Sequence, residues 1–354
     1  MVIVMQVNAA PEQVEAVTRF VRNLGYGAHL SQGEERAVIG VVGHTGSPEL
    51  RARFETLSGV ESVVPITKPF KLASREFKRA ASRFEVGEQP GAVPVTVGGP
   101  NLVVCAGPCG VESEGQTVSA AGYAARAGAR MLRGGAYKPR TSPYSFQGLG
   151  EEGLRILAEA RRRTGLPVVT EVTAPELVGP VAEVADMLQI GARNAQNFAL
   201  LAEAGRSGRP VLLKRGLMMS VSEWLMSAEY VLAQGNERVI LCERGIRTFE
   251  TSTRFTLDVS AVPVLRELTH LPVWVDPSHP AGRRPLVLPL ALAGVAAGAD
   301  GIIVETHPVP EEAASDSAQQ LNEREFEAFM AALAPVAAAV GRPLAPGLAV
   351  PAGA

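Results

Sequence analysis

Eight short apolar runs recur from about residue 84 onwards, and they limit the possible fold more than any other feature of the chain. Helical stretches separate the runs, and the repeat of about 25–35 residues is typical of βαβ units. Because the runs are apolar almost throughout, they predict parallel strands that are buried on both faces. Eight such units in ~240 residues predict a (β/α)8 TIM barrel rather than an open sheet. The runs lie at 102–108, 131–136, 167–172, 187–192, 210–216, 238–245, 272–279 and 301–308.

The first 65 residues predict a separate, small α+β domain. The strand-like VIVMQV is followed by a helix with Val14, Val17 and Phe20 at helical spacing, a hairpin, a second helix and a last strand. This β-α-β-β-α-β order is that of a ferredoxin-like domain. The predicted divisions of the chain are a ferredoxin-like domain at 1–65, a basic linker with a short helix at 66–83, the barrel at 84–340 with a hairpin over 83–99 that could cap its N-terminal mouth, and a flexible tail at 341–354.

Charge and cysteine content exclude several classes of protein. The 354 residues include 34 Lys and Arg against 36 Asp and Glu, a formal net charge of −2, and 46% are hydrophobic. Neither nucleic-acid binding nor disorder is therefore indicated. Three cysteines exclude a disulfide framework and favour a reducing compartment. The N-terminus has no basic segment, and Pro289 interrupts the longest apolar stretch, 285–299, so we expect a cytoplasmic protein without a membrane span.

The active site of a TIM barrel lies at the C-terminal ends of its strands. Basic side chains follow five of the predicted strands, and their mutual repulsion indicates that phosphate or carboxylate ligands neutralise them. A strand-end residue can also be charged merely because it faces solvent. The polar residues expected at this end of the barrel are Cys109, Arg133, Lys138, Arg140, Glu171, Arg193, Lys214, Arg215, Arg244, Asp276, His279, Glu305 and His307.

Four of the polar residues could converge on one metal ion. Cys109 follows the first strand, His279 ends the seventh, Glu305 ends the eighth and Asp316 lies in the loop after it. These three strands are neighbours once a barrel closes. A mixed sulfur, nitrogen and oxygen donor set favours Mn²⁺, Fe²⁺, Co²⁺ or Zn²⁺ over Mg²⁺ or Ca²⁺. Cys105 and Cys242 lie inside strands and are interpreted as packing residues.

Six motifs in order resemble the type Iβ 3-deoxy-D-arabino-heptulosonate 7-phosphate (DAHP) synthases. The resemblance covers about residues 66–321, and the first 65 residues resemble the ferredoxin-like regulatory domain that some members carry. Several long motifs in the right order are far more specific than one short pattern. The motifs are AGPCGVES at 106–113, LRGGAYKPRTSPYSFQGLG at 132–150, QIGARNAQNF at 189–198, LLKRG at 212–216, DPSHPAGRR at 276–284 and VETHPVP at 304–310.

The resemblance implies an activity and a set of site residues. The reaction joins phosphoenolpyruvate (PEP), D-erythrose 4-phosphate and water to give DAHP and phosphate, the first step of the shikimate pathway, and it uses one divalent transition metal ion. Lys138 would donate a proton to the aldehyde oxygen, and Glu171 would orient the water, with Cys109 and His279 also counted as catalytic. The implied metal ligands are Cys109, His279, Glu305 and Asp316. The implied substrate-binding residues are Arg133, Lys138, Arg193, Lys214 and Arg244 for PEP, Lys138, Pro139, Arg140, Thr141 and Ser142 for the tetrose phosphate, and Asp276. A homotetramer and inhibition by tyrosine or phenylalanine are also expected.

Three alternatives stay open on the sequence. The sister enzyme 3-deoxy-D-manno-octulosonate 8-phosphate synthase also condenses PEP with a phosphorylated aldose, although the KPRTS stretch at 138–142 argues against it. A Schiff-base aldolase could use Lys214 as its nucleophile. A non-catalytic protein could bind an effector in the first domain and use the barrel as a scaffold.

Overall fold

The computed structural model describes residues 1–32, 36–43, 47–64, 69–139, 142 and 144–348. The predicted site residues Arg140 and Thr141 lie outside the described residues. The chain divides into two compact units, each with its own hydrophobic core. The first unit comprises Met1–Ala81 with Glu267–His270, and the second comprises Ser82–Arg266 with Leu271–Ala354.

The first unit has the predicted ferredoxin-like topology. Its elements are β1 (Val2–Met5), α1 (Pro11–Asn23), β2 (Gly27–Gln32), β3 (Ala37–Val42), α2 (Pro48–Glu55) and β4 (Val60–Val64). The four strands form an antiparallel sheet in the order β2-β3-β1-β4. Helix α1 begins with Pro11, a residue favoured in the first turn of a helix, and buries Val14 and Val17 in the same core as Ile39 and Val41 of β3.

The described part of the segment after the first sheet, 69–83, does not contain the short helix that we predicted for residues 66–83. Over its described part, 69–83, the chain forms turns and bends, and Phe70, Leu72 and Phe77 are buried. A Cβ on Gly40 of β3 would come within 2.7 Å of the Phe77 ring, so this segment packs directly on the sheet. Burial of its large apolar side chains outweighs the helical preference of the basic residues between them.

The second unit is a closed barrel, as the eight apolar runs predict. A short antiparallel hairpin, β5 (Phe84–Val86) and β6 (Val95–Val97), comes first. The barrel strands are β7 (Val103–Gly107), β8 (Met131–Arg133), β9 (Val168–Glu171), β10 (Met187–Ile190), β11 (Val211–Lys214), β12 (Val239–Glu243), β13 (Val273–Val275) and β14 (Gly301–Glu305). They pair in parallel around the ring, and β14 closes on β7.

Helices follow the barrel strands along the chain. They are α3 (Glu114–Arg126), α4 (Glu151–Thr164), α5 (Val178–Val184), α6 (Phe198–Arg206), α7 (Val221–Leu232), α8 (Ala261–Leu268), α9 (Ser278–Ala281), α10 (Arg284–Ala296) and α11 (Glu323–Ala339). Local sequence explains several of their starts. Ser113, Asn197, Ser220 and Asn322 each accept a hydrogen bond from a first-turn backbone N–H.

The hairpin β5–β6 plugs the N-terminal end of the barrel. Val86, Val95 and Val97 are buried in one cluster with residues near the beginnings of the barrel strands, including Val103 and Met131. This arrangement agrees with the cap that we expected from the sequence. The N-terminal end of the barrel is therefore filled with apolar side chains, and the polar residues of an active site are expected at the C-terminal end.

Candidate active site

A buried carboxylate, Asp276, lies under the site and holds two of the predicted residues. Its Oδ2 accepts a hydrogen bond of 2.6 Å from Lys214 Nζ and lies 2.6 Å from His279 Nδ1. Burial alone would raise the pKa of Asp276, but its interactions with His279 and Lys214 lower it well below its usual value. A carboxylate beside one ring nitrogen orients the imidazole, so His279 presents Nε2 on its other side.

Three side chains of the predicted metal set meet at the strand ends. Ligand atoms of Cys109, Glu305 and Asp316 all lie within 4.8 Å of one another. The fourth predicted member, His279, is outside this group of three, but its Nε2 lies 3.5 Å from Glu305 Oε1. We call these four residues the ligand cluster.

Each acidic member of the ligand cluster is paired with its own cation. Lys138 Nζ lies 2.9 Å from Cys109 Sγ. The guanidinium of Arg133 donates to Glu305 Oε1 at 2.7 Å, and both groups are almost completely buried. The third pair, Arg254 with Asp316, has an Nη1 to Oδ1 distance of 2.8 Å. These cations balance negative charge that would otherwise accumulate in a small volume.

Burial and charge set the protonation of the cluster. Burial raises the pKa of the Cys109 thiol to about 12, and the charge of Glu305 adds to the rise, so the sulfur is protonated at neutral pH. For Asp316, burial raises the pKa but His279, the Cys109 thiol and Arg254 together lower it below the ordinary value. The His279 pKa is lowered, chiefly by burial, which favours the neutral imidazole that metals bind.

The donor set fits a transition metal ion. A thiol, a neutral imidazole and two ionised carboxylates are close together. Two further residues contact them: Asp276 lies beside His279, and Gln319 donates a hydrogen bond to Glu305. Mixed sulfur, nitrogen and oxygen donors suit a borderline divalent ion, and ligation requires the Cys109 proton to leave. The structure thus brings together the residues that the sequence predicted, while the identity of a metal stays a prediction.

Beside the ligand cluster is a cavity of about 310 Å³ with an excess of positive charge. Arg244 is buried, and among the described residues its Nη1 has no hydrogen-bond partner, while its guanidinium lies 4.4 Å from the centre of the Phe255 ring. An unpaired buried guanidinium favours an anionic ligand. The charged residues that line the cavity are Arg133, Lys138, Glu171, Arg193, Lys214, Arg244, Arg254 and Asp316.

Glu171 occupies one wall of the cavity because its neighbour has no side chain. A Cβ on Gly191 would lie 2.0 Å from Glu171 Oε1, so only glycine leaves room for the carboxylate. Gln189 Nε2 donates to Glu171 Oε2 at 3.1 Å. The carboxylate is therefore held in place at the edge of a cationic cavity.

The structure places most of the other predicted residues at the same end of the barrel. Pro139 and Ser142 also line the cavity. Asp276 does not line it and instead contacts Lys214 and His279. Arg215 is turned away to Glu243 and Asp258, with nitrogen to oxygen distances of 2.9 and 2.8 Å. All substrate-binding roles stay predictions.

Sequence reasoning missed Arg254 and Gln319, which contact the cluster from loops. Arg254 lies between β12 and α8, and Gln319 lies between β14 and α11. Neither stands directly after a strand, and no spacing rule connects them. Gln319 was near the predicted ligand Asp316 in the chain, which was the only signal available for it.

A closed (β/α)8 barrel with a cationic cavity and a thiol–imidazole–carboxylate cluster at its C-terminal end defines a TIM-barrel enzyme that acts on anionic substrates. The particular family follows from comparison with known proteins. The chain belongs to the DAHP synthetase I family, whose model matches residues 56–340, and the DAHP synthase ferredoxin-like domain model matches residues 1–68. The resemblance drawn from the motifs is thereby confirmed.

Individual relatives agree with the family assignment. The chain is 48% identical over 341 residues to phospho-2-dehydro-3-deoxyheptonate aldolase of Thermotoga maritima, covering 96% of this chain and 99% of that protein. The crystal structure of phospho-2-dehydro-3-deoxyheptonate aldolase (DAHP synthase) from the same organism superposes with a TM-score of 0.76 at 47% identity, covering 97% and 99% of the two chains. A solved truncated form of the T. maritima synthase covers 78% of this chain and 99% of its own, with a TM-score of 0.72 and 47% identity.

Relatives of the alternative activity match less of the chain. The 2-dehydro-3-deoxyphosphooctonate aldolase of Syntrophobacter fumaroxidans is 34% identical over 244 residues, covering 64% of this chain and 84% of that protein. The predicted DAHP synthase activity is confirmed at the level of the family. Among the described residues, no helix combines the length and the apolar character needed to cross a bilayer.

Proposed function

We propose that this chain is a metal-dependent DAHP synthase that condenses PEP with D-erythrose 4-phosphate and water, releasing phosphate. The observation that carries the proposal is the cavity lined with cations directly beside the ligand cluster. Two phosphorylated substrates, one of which also carries a carboxylate, account for this excess of positive charge. The extended match to the T. maritima enzyme supports the same activity.

The most buried cations bind PEP in this proposal. Arg133, Lys214 and Arg244 are each at most 5% exposed and line the cavity. Their charges are fixed before substrate arrives, so they stabilise the carboxylate and the leaving phosphate without reorganisation. Arg193, which is exposed, completes this set, while Lys138, Pro139, Arg140, Thr141 and Ser142 bind the tetrose phosphate.

Cys109, His279, Glu305 and Asp316 hold the metal ion in this proposal. When bound there, a divalent transition ion supplies a Lewis acid for the aldehyde oxygen of the tetrose. The proposed ion is Mn²⁺, Fe²⁺, Co²⁺ or Zn²⁺. Asp276 keeps His279 in the orientation that ligation needs.

Two side chains move or orient protons. Burial lowers the pKa of Lys138, but the neighbouring Cys109, Glu305 and Glu171 together raise it above its ordinary value. The ammonium therefore persists at neutral pH and can protonate the aldehyde oxygen as C3 of PEP attacks the carbonyl carbon. Glu171 accepts a hydrogen bond from the water that adds to C2 of PEP. Cleavage of the C–O bond at C2 then releases phosphate.

The Schiff-base alternative has less support. Lys214 is buried, and its amine donates to the Asp276 carboxylate at 2.6 Å, so it would have to leave an ion pair before it attacked a carbonyl. A non-catalytic scaffold would not need this complete set of polar residues. Both alternatives therefore have less support than a DAHP synthase.

The ferredoxin-like domain regulates the barrel in this proposal. A domain model of that description matches residues 1–68, and the product leads to aromatic amino acids, so tyrosine or phenylalanine is the proposed inhibitor. We further propose a cytoplasmic homotetramer.

One assay tests the main proposal. Phosphate release from PEP is measured with erythrose 4-phosphate or with arabinose 5-phosphate, before and after EDTA treatment and after Mn²⁺ is restored. We expect release with the tetrose, its loss in EDTA and its recovery with Mn²⁺. Phosphate release with arabinose 5-phosphate but not with erythrose 4-phosphate would instead identify a 3-deoxy-D-manno-octulosonate 8-phosphate synthase. Full activity in EDTA would contradict metal dependence.

A further inference from the structure

Two side chains outside the ligand cluster hold its two carboxylates. Gln319 Nε2 donates to Glu305 Oε2 at 2.7 Å. Arg254 Nη1 donates to Asp316 Oδ1 at 2.8 Å and to Gln319 Oε1 at 3.2 Å. One continuous set of hydrogen bonds therefore runs from Asp316 through Arg254 and Gln319 to Glu305.

The hydrogen bonds leave one particular oxygen of Asp316 for the cluster. Arg254 engages Oδ1, while Oδ2 lies 3.0 Å from Cys109 Sγ. On the other carboxylate, Gln319 engages Oε2, while Oε1 lies nearest His279 and Arg133. On each carboxylate, the outer hydrogen bond engages one oxygen and leaves the other beside the remaining residues of the cluster, which restrains rotation of the group.

Asp316 needs this support more than the other ligand residues. Its φ of 53° is the only positive value at a non-glycine position among the described residues. A left-handed backbone is uncommon for such residues and persists where the surroundings hold it. Asp316 also lies in a loop rather than on a strand, so the strand hydrogen bonds that fix Glu305 do not fix it.

Arg254 is also the one cation of the three pairs to which the proposed mechanism gives no task. Arg133 and Lys138, the partners of Glu305 and Cys109, are assigned to substrate. The Arg254 side chain is 37% exposed, and it reaches the cluster from the loop between β12 and α8. A charged hydrogen bond to a ligating carboxylate is the kind of contact that orients metal ligands.

We infer that Arg254 and Gln319 are positioning residues for the metal site, which orient Asp316 and Glu305 through the hydrogen-bonded chain Asp316–Arg254–Gln319–Glu305. This inference rests on the proposed function, because it requires that the cluster binds a metal ion. The two residues act on the ion through its ligands.

A competing explanation is that Arg254 binds substrate directly, because it lines the cavity as well. The two explanations differ in what happens without substrate. A positioning residue changes the affinity of the free enzyme for metal. A residue that only binds substrate changes KM and leaves that affinity unchanged.

The experiment is a titration of the metal-stripped full chain with Co²⁺, without substrate, followed by the thiolate-to-cobalt charge-transfer band. The variants are Arg254→Gln and Gln319→Leu, with Arg254→Lys as the conservative replacement that keeps a charged donor. Arg247→Gln is the matched control, because Arg247 is an exposed arginine in the same loop and does not line the cavity beside the ligand cluster. Near-ultraviolet circular dichroism and the thermal midpoint show that each variant is folded.

We expect Arg254→Gln and Gln319→Leu to weaken Co²⁺ binding by roughly 10–100-fold, the usual effect of losing a residue that orients metal ligands. Arg254→Lys should recover part of the affinity, and Arg247→Gln should bind Co²⁺ as the wild type does. Unchanged Co²⁺ affinity in folded Arg254→Gln and Gln319→Leu would overturn the inference, and a raised KM in Arg254→Gln would then assign Arg254 to substrate. If the unaltered chain itself gives no thiolate–cobalt band, the proposed metal site fails rather than its positioning alone.

Discussion

Cys109 shows how strongly one position depends on its surroundings. Its sulfur lies 2.9 Å from a lysine amine and 3.0 Å from a carboxylate oxygen, and it is completely buried at the end of β7. Cys105 is also completely buried, but it lies inside β7 in the apolar core of the barrel. Two cysteines in one short segment therefore have different environments, and we expect them to have different roles.

Replacing Cys109 by alanine should abolish turnover and leave the fold intact. The variant loses the one sulfur donor of the ligand cluster, while a small side chain is still accommodated at the strand end. Phosphate release in the presence of Mn²⁺ measures the activity, and thermal unfolding measures the stability. Cys105→Ala is the matched control and should keep turnover. Activity in Cys109→Ala close to that of the unaltered chain would contradict the assignment of the sulfur as a ligand.

Gly191 offers a test of Glu171 that leaves the carboxylate in the chain. The Gly191 φ of −69° suits alanine, so Gly191→Ala strains only the contact with Glu171, whose Oε1 would lie 2.0 Å from the new Cβ. Because the carboxylate must move, we expect kcat to fall by about tenfold or more, with little change in the KM for PEP. Steady-state kinetics check this result.

Two further variants complete the Gly191 test. Glu171→Gln should lower kcat in a similar way. Gly179→Ala is the neutral control, because a Cβ there meets nothing within 4 Å. A normal kcat in Gly191→Ala would mean that the position of Glu171 does not matter.

At the residue scale, the sequence predicted what stands at strand ends and little else. Cys109, His279 and Glu305 could be predicted because a barrel brings the ends of β7, β13 and β14 together. Arg254 could not be predicted, because its approach to Asp316 depends on the path of two long loops. The second contact of Asp276, with His279, likewise depends on side-chain geometry that no pattern encodes.

Secondary-structure elements were the easiest features to predict. Every barrel strand falls inside its predicted apolar run, since burial on both faces leaves a continuous pattern in the sequence. The short helix predicted after the first sheet is absent from the described part of that segment, 69–83, because its local sequence pattern does not show which side chains become buried. There, Phe70, Leu72 and Phe77 pack in the core of the first unit, and tertiary burial overrides local preference.

The hairpin β5–β6 should contribute to stability and not to catalysis. Val97 is completely buried in the core at the N-terminal end of the barrel and does not line the cavity. Val97→Ala should therefore lower the free energy of unfolding by about 2 kcal/mol and leave kcat and KM unchanged. Chemical denaturation and steady-state kinetics check the two parts.

The adjacent residue of β6 provides the control for this hairpin. Thr96 is only partly buried, and its side chain pairs with Glu85 instead of entering the core. Thr96→Ala should change stability by no more than about 0.5 kcal/mol. A lower kcat in Val97→Ala at full occupancy of the folded state would show that the hairpin acts on the site.

At the scale of the whole molecule, the core cluster at the N-terminal end of the barrel includes no residue before Phe84, so we expect the barrel to fold without residues 1–65. We expect a chain that begins near Ile66 to keep phosphate release and to lose inhibition by tyrosine and phenylalanine. Coupling between sites is typically 1–3 kcal/mol, so inhibitor should change the apparent substrate affinity of the full chain by roughly 5–150-fold. Inhibition curves for both chains measure the difference. Equal sensitivity of the two chains would place the regulatory site outside residues 1–65.

The buried valines of the hairpin β5–β6, at the N-terminal end of the barrel, also affect how substrates can reach the active site. Because apolar side chains fill that end in the described part of the barrel, we expect reactants and products to pass through the C-terminal end. On the proposed assignments, the residues for PEP are the deeply buried Arg133, Lys214 and Arg244, whereas Pro139 and Ser142 are more exposed. A tetrose phosphate that bound first would block access to the more deeply buried residues that bind PEP. On these assignments we expect PEP to bind before the tetrose phosphate, and an excess of the tetrose phosphate should slow turnover by occupying the entrance first.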